Sequence, residues 1–197
     1  MSNALKKILV AAPAIALIGG SAARADPQGT AALTLGVAGI GQDYNLWDKT
    51  VFHLGIHGDV LFGRSRNSDF GVGPYVEVAA HAFDDIQFGG GVSTLLPVID
   101  FLPLVVSTGA YGRLGEDNLG LEPGLAFELF WGSRSYNFHS SYVMSAGILA
   151  QLRIGLGTSN ERAIVLGLHL DLAAMSLPFT FLVNAARGGS KDTEPVP

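Results

Sequence analysis

The sequence predicts an all-β protein, an antiparallel up-and-down eight-stranded barrel that spans a membrane. Apolar and polar residues alternate strictly over many segments, which is typical of strands because successive side chains leave opposite faces of the pleat. Hydrophobic residues make up 48% of the chain, yet beyond the N-terminal region no run of about 18 apolar residues exists to form a membrane helix. A closed barrel is the other structure that satisfies every backbone hydrogen bond in lipid.

The N-terminus has the features of a cleaved export signal. Lys6-Lys7 forms a positive n-region, residues 8–18 are apolar, and Ala23-Arg24-Ala25 matches the small-x-small cleavage rule. The apolar stretch is too short to span a bilayer comfortably as a helix. We therefore expect residues 1–25 to be removed as a signal peptide and residues 26–188 to form one barrel domain.

Eight segments are predicted as strands. They are residues 30–41, 50–62, 70–83, 85–96, 101–113, 119–131, 142–156 and 162–173. Most are separated by stretches rich in Gly, Asn, Asp and Ser, which favour turns: 42–45, 63–69, 115–118, 132–135 and 157–161. The break at residues 97–100 is instead apolar. The predicted strands are long enough for a membrane, since a tilted strand needs about 9–11 residues.

Each predicted strand has an apolar face and a polar face. In the second strand, the apolar set Phe52, Leu54, Ile56, Val60 and Phe62 alternates with His53, Gly55, His57 and Asp59. In the second, third, sixth, seventh and eighth strands, we expect no charge on the apolar face. A soluble barrel has the reverse arrangement, with apolar side chains inside and polar side chains outside. The charged faces therefore predict a lumen lining, and the apolar faces predict lipid contact.

Aromatic residues near the strand ends predict two interfacial rims. One rim comprises Tyr44, Trp47 and Phe52, and the other comprises Phe62, Phe70, Trp131, Tyr136 and Tyr142. Phe52 and Phe62 share a face. At about 3.3 Å per residue and a tilt near 40°, they are separated by roughly 25 Å along the membrane normal, which is the height of the apolar band.

The segment after the eighth strand has a different pattern. Ser176 suits an N-cap, Pro178 lies in the first turn and Gly188 suits the C′ position, so a short apolar helix over residues 176–188 is the preferred interpretation. A ninth strand is the alternative, and the even strand number of single-chain bacterial barrels favours the helix. Residues 189–197 form a polar tail that we expect to be disordered.

This pattern resembles the small eight-stranded outer-membrane barrels of Gram-negative bacteria, of the OmpA, OmpX and OmpW type. The resemblance covers the export signal and residues 30–173, and it rests on the strand pattern rather than on a specific motif. It implies a porin-like barrel in the outer membrane, in contact with outer-membrane lipids. It also implies assembly through periplasmic chaperones and the barrel-assembly machinery. We expect a monomer.

Composition excludes several other classes. The chain has no cysteine, so neither a disulfide framework nor a cysteine-ligated metal site is available. The net charge of −5 is scattered without a basic patch, so no nucleic acid partner is expected. No Walker motif, GxSxG elbow, HExxH motif or EF-hand loop is present.

The candidate functional residues are the side chains predicted to line the lumen. They are His53, His57, Asp59, Tyr75, Glu77, His81, Arg113, Glu122, Glu128, Gln151, Arg153, His169 and Asp171. The first hypothesis is a plug of salt bridges and hydrogen bonds, since an eight-stranded barrel is just wide enough for side chains to fill and buried charges must be paired. The alternative is a barrel that binds a small or lipidic ligand through Glu77, His81, Glu128 and Arg153.

A divalent metal site is a further hypothesis, and no other cofactor is expected. The pairs His57-Gly58-Asp59 and His169-Leu170-Asp171 each place two ligand residues about 6–7 Å apart on one face. Closure would place the first strand between them, and its small lumen residues Thr34, Gly36 and Ala38 leave room for the pairs to meet. Imidazole and carboxylate suit zinc or another divalent ion.

Enzymatic activity has little support in the sequence. His139-Ser140-Ser141 has the His-x-Ser spacing of outer-membrane lipid A deacylases, but the rest of that motif is absent and the triplet lies at a predicted turn. The expected role is therefore structural, in adhesion, or in the passage of very small solutes.

Overall fold

Eight antiparallel strands close into one barrel in the computed structural model, which describes residues 26–42, 45–115, 121–137 and 140–188. The strands are β1 (Gln28–Gln42), β2 (Lys49–Leu61), β3 (Gly71–His81), β4 (Asp85–Leu96), β5 (Leu104–Leu114), β6 (Glu122–Ser133), β7 (Ala146–Gly155) and β8 (Glu161–Asp171). Each pairs with its neighbours in sequence, and β1 pairs with β8. The predicted all-β, up-and-down, eight-stranded order is confirmed. The largest difference in bounds is at β7, because Tyr142 forms an isolated bridge to Gly29 instead of continuing that strand.

The register of the strands sets the width of the barrel. Stepping from Ala31 to its partner on β2, and so on from strand to strand, leads once around the sheet and back to β1 at Gly41. Gly41 lies ten residues beyond Ala31. The steps pass through Gly58, Val76, Gly90, Ala110, Leu125, Ile154 and Arg162. With eight strands about 4.8 Å apart and a rise of about 3.3 Å per residue, this stagger tilts the strands by about 40° and gives a backbone radius of about 8 Å. Such a lumen is just wide enough for side chains to fill.

Burial is inverted relative to a water-soluble barrel. In β3, Val76 and Val78 are 68% and 54% exposed, whereas the intervening Glu77 is 6% exposed. The same alternation runs along the whole of β6, where every second residue starting at Glu122 is buried. Polar side chains therefore line much of the lumen, and apolar side chains cover the outer surface.

The outer face of the eight strands is almost free of charge. Among the Lys, Arg, Asp and Glu residues of these strands, only Arg162 has the outward register, and it lies near one end of the barrel. The expectation of an uncharged apolar face is therefore corrected for β8 at this position. Of the aromatic residues predicted for the two rims, Trp47 and Phe52 are exposed at one end, and Phe62, Phe70 and Trp131 at the other. Phe127 is exposed midway along β6, and Tyr142 directs its hydroxyl to Asp171.

The two ends of the barrel differ in their connections. β1 begins and β8 ends at what we call the terminal rim, which also carries the connections 62–70, 97–103 and 134–145. The opposite end, the distal rim, carries the connections after β1, β3, β5 and β7. The connection after β3 is the tightest, and Ala82 and Phe83 adopt φ of 53° and 68° there. This left-handed region is unfavourable for residues other than glycine.

A helix, α1 (Leu172–Gly188), follows β8 directly. The helix prediction is therefore confirmed and the ninth strand is wrong, but the expected start at Ser176 is also wrong. Asp171 caps the helix, because its Oδ1 accepts from the backbone N–H of Ala174 at 2.9 Å, while Ser176 Oγ donates back to the carbonyl of Ala173. Among the described residues, no helix is long and apolar enough to cross a membrane.

Two apolar clusters inside the barrel were not predicted from the sequence. One, formed by β1, β7 and β8, comprises Ala38, Ile40, Leu149, Ala163 and Val165. The other, nearer the terminal rim, comprises Leu61, Leu95, Val105 and Phe130. The lumen is therefore filled by both polar and apolar side chains.

Several sequence predictions lie outside the described residues. These are the signal peptide (1–25), the tail (189–197), Tyr44 of the aromatic rim and His139 of the His-x-Ser triplet. The structure likewise does not describe the side chains of residues 185–188 in α1.

Candidate functional site

All thirteen lumen candidates face the interior of the barrel. Twelve are at most 8% exposed, and the side chain of Arg113 is 15% exposed near the distal rim. They point inwards together because every second side chain of a strand lies on the same face of the sheet. Along the barrel they form a central cluster, a terminal group and a distal group, each described below.

Arg153 is the centre of the central cluster. Its guanidinium pairs with Glu77, and its Nη1 donates to Gln87 Oε1 at 2.7 Å. Its Nε donates to Gln151 Oε1 at 3.1 Å, and the guanidinium carbon lies 5.4 Å from the centre of the Tyr111 ring. These contacts join β7 to β3, β4 and β5 across the lumen.

Glu77 and Glu128 meet in this cluster through a shared amide. Gln151 Nε2 donates to Glu77 Oε1 at 3.0 Å and to Glu128 Oε2 at 2.5 Å. His57 lies beside them, with its Nδ1 3.6 Å from Glu128 Oε1. The ring of Tyr75 stacks on His57, with centroids 5.2 Å apart and an angle of 7° between the planes. Packing and polar contacts therefore hold the imidazole between strands of opposite walls.

The terminal group begins with a buried ion pair between Asp59 and Arg134. Both Nη atoms of Arg134 donate to the carboxylate, Nη1 to Oδ2 at 2.6 Å and Nη2 to Oδ1. His57 Nε2 lies 3.7 Å from the same carboxylate and links this pair to the central cluster. Arg134 follows β6 but keeps the inward register of Glu128, so the connection 134–145 is anchored inside the barrel.

His169 and Asp171 complete the terminal group. His169 Nε2 and Ser145 Oγ are 2.9 Å apart, and Asp171 Oδ2 accepts from the Ser145 backbone N–H at 3.1 Å. The hydroxyl of Tyr142 donates to the same Asp171 oxygen at 2.9 Å. Burial and this hydrogen bond raise the pKa of Tyr142. Asp171 therefore holds the end of the connection 134–145 as well as the start of α1.

The distal group contains a row of side chains that continues from the central cluster. His53 lies between Thr34 Oγ1 and His81, at 3.1 Å from each. His81 Nδ1 and Gln87 Nε2 are 3.1 Å apart, and Gln87 Nε2 lies 3.2 Å from Asp85 Oδ2. Hydrogen-bonding groups thus form a continuous row from Thr34 to Asp85.

Arg113 closes the distal group and lies on the wall of a cavity that opens at the distal rim. Its guanidinium lies 2.9 Å from Asp85, 2.9 Å from Glu161 and 3.6 Å from Glu122. Glu122 also accepts from Ser159 Oγ at 2.5 Å. The cavity has a volume of about 310 Å³ and is lined by both charged and apolar residues, so it has room for a small polar molecule.

The predicted metal pairs meet only in part. His57 and His169 approach across β1, with ring centroids 5.8 Å apart. Asp59 and Asp171, however, are engaged by Arg134, Tyr142 and backbone N–H groups, so the arrangement departs from the expected four-residue set. The ligand atoms that do converge belong to His57, Glu77 and Glu128, which lie within 4.8 Å of one another.

Residues that belong to these groups or adjoin them, and that sequence reasoning missed, include Arg64, Asp85, Gln87, Tyr111, Arg134 and Glu161. Asp85 and Gln87 share the inward register of β4, and Arg134 continues that of β6, so alternation carried a signal for all three. Arg64 lies in the connection 62–70, where no such period exists.

Comparison of the chain with family models, curated proteins and solved structures found no match.

Proposed function

We propose that this protein is an outer-membrane β-barrel whose lumen is closed by its own side chains, and that its role is structural or adhesive. The inverted burial pattern carries the proposal. Exposed leucine, isoleucine, valine and phenylalanine cover the strands, whereas arginine, glutamate and histidine are buried between them. In water such a surface would form a large apolar patch of the kind that soluble monomers rarely expose. In lipid the same surface is favourable.

The interior contacts favour a plug over an open pore. Arg153 contacts side chains from three other strands, and Arg134 and Arg113 make further ion pairs towards the two rims. With a backbone radius of about 8 Å, little space remains around these groups. Passage of very small solutes would therefore require them to move.

Fractionation and electrophoresis test the membrane proposal. We expect the protein in outer-membrane fractions, with migration that changes on heating in detergent. The first residue of the purified protein tests the signal peptide, and we expect Asp26. A water-soluble monomer would overturn the proposal. Purified protein in planar bilayers tests the plug, for which we expect no stable open state.

Divalent cation binding is a second candidate function, favoured by the convergence of His57, Glu77 and Glu128. Among the described residues, His57 Nδ1 has no hydrogen-bond partner although the side chain is buried. Imidazole with two carboxylates is a donor set that zinc accepts. Arg153 and Gln151 compete for the carboxylates, so a cation would have to displace their hydrogen bonds.

Zinc titration of the folded barrel tests this second function. We expect wild type and His169→Gln to bind Zn²⁺ equally and His57→Gln to lose binding. His169 is a suitable control because it is equally buried and lies nearby, but outside the converging set. Equal loss in both variants, or no binding by wild type, would contradict the site.

A further inference from the structure

Arg64 is a buried arginine at the terminal rim. It follows β2 in the connection 62–70, and it is 0% exposed. Gly63 before it has φ of 82°, a left-handed conformation that suits glycine. The stem of Arg64 packs where a side chain on Gly71 would lie, since a Cβ there would be 2.7 Å from Arg64 Cδ. Within the described part of the chain, none of the three guanidinium nitrogens of Arg64 has a hydrogen-bond partner.

Arg134 brings a second guanidinium to this region. Its two Nη atoms bind Asp59, and its Nε has no partner among the residues that the structure describes. Burial, together with repulsion from Arg134, lowers the pKa of Arg64. The carboxylate of Asp59 is therefore taken by Arg134, and Arg64 has no ion-pair partner of its own among the described residues.

The other nearby carboxylate is committed elsewhere. Asp69 Oδ2 accepts from the backbone N–H groups of Ser65 at 2.9 Å and Arg66 at 3.0 Å, and its Oδ1 lies 3.6 Å from the Arg66 guanidinium. Arginine does not escape burial by losing its proton, as lysine does. An unpaired buried charge is costly, so an anion that contacts both guanidinium groups would stabilise the terminal rim.

We propose that Arg64 and Arg134 bind an oxyanion of the phosphate class, either free phosphate or the phosphate of a lipid headgroup. Nε, Nη1 and Nη2 of Arg64 and Nε of Arg134 are the donors. The planar fork of a guanidinium matches two oxygens of one phosphate, which is the reason for choosing this class of anion. The site gives the barrel a specific ligand in addition to its structural role.

Two probes distinguish the sources of phosphate. Purified full-length protein in detergent is heated with inorganic phosphate, or in micelles that carry phosphatidic acid. Micelles that carry diacylglycerol instead are the neutral control. We expect the midpoint of heat-modifiable migration to rise with at least one phosphate probe and not with diacylglycerol. A response to phosphatidic acid alone identifies a lipid headgroup, and a response to inorganic phosphate alone identifies a free anion.

Arg64→Gln and Arg66→Gln form a matched pair, because each removes one positive charge from the same connection. Arg66 has a 76% exposed side chain and pairs with Asp69. We expect Arg64→Gln to weaken binding by about tenfold to hundredfold, as for the loss of a charged hydrogen bond, and Arg66→Gln to leave it unchanged. Arg64→Lys keeps the charge without the fork and should bind weakly.

The folded state of each variant is checked by its heat-modifiable migration before binding is measured. Should Arg64→Gln not fold, Arg64→Lys supplies the comparison. Failure of both phosphate probes to stabilise wild type would overturn the proposal. Binding by the folded Arg64 variants that equals that of wild type would also overturn it.

Discussion

Replacing Arg153 with methionine tests the interior network most directly. The substitution keeps much of the side-chain volume but removes the guanidinium that contacts Glu77, Gln87 and Gln151. Arg153 and Glu77 have side chains only 2% and 6% exposed, so the remaining carboxylate cannot be solvated in place. Removal of one partner of a buried ion pair costs about 3–5 kcal/mol. We expect a value within this range, because Glu77 keeps only the hydrogen bond from Gln151 once the guanidinium is gone.

Urea unfolding in lipid vesicles, followed by the fluorescence of Trp47 and Trp131, measures this cost. The double variant Glu77→Gln/Arg153→Met removes both charges, and we expect it to be about 2 kcal/mol more stable than Arg153→Met alone. Arg66→Gln, at an exposed arginine, is the control and should unfold like wild type. A buried ion pair between Arg153 and Glu77 would be contradicted if Arg153→Met unfolds within about 1 kcal/mol of wild type, or if the double variant is no more stable than the single one.

Three further predictions concern the barrel wall, one turn and the helix cap. Phe127→Arg, at an outward position within β6, should destabilise the barrel in vesicles by about 2–4 kcal/mol, whereas Leu121→Arg just before that strand should cost about 0–1 kcal/mol; equal costs in urea unfolding would argue against a bilayer around β6. Ala82→Gly should raise the unfolding free energy by about 1 kcal/mol, because the residue has φ of 53°; a decrease would contradict the left-handed turn. Asp171→Ala should cost about 2 kcal/mol and loosen α1, since it removes the cap and the bond to Tyr142; hydrogen exchange of the first turn of α1 measures this, and unchanged protection would exclude the cap.

Much of the wall follows from local pattern. The bounds of β4 agree with the expected 85–96, and the alternation of Val76, Glu77 and Val78 assigned each side chain to its observed face. Local pattern was less informative where one residue has two roles. Asp171 ends β8 in the inward register and also caps α1, so the helix begins four residues before the expected Ser176.

Pairing inside the lumen did not follow from the sequence. The two His-x-Asp repeats suggested a shared site, yet Asp59 binds Arg134 from a connection that the sequence identified only as a turn. Glu128 approaches His57 from the opposite wall, although the two residues are far apart in sequence and their strands are not neighbours. Arg64 is buried by the folding of a connection that has no strand period.

The strands, their up-and-down order and the faces of most strand side chains follow from the local sequence, because each segment carries its own period of two. The contacts between lumen side chains follow only from closure of the barrel. Those contacts depend on the stagger of ten residues around the closed sheet, and on a radius of about 8 Å that brings opposite walls within side-chain reach. Closure also buries Arg64, because the connection 62–70 has no strand period and reaches the lumen only once the barrel has formed.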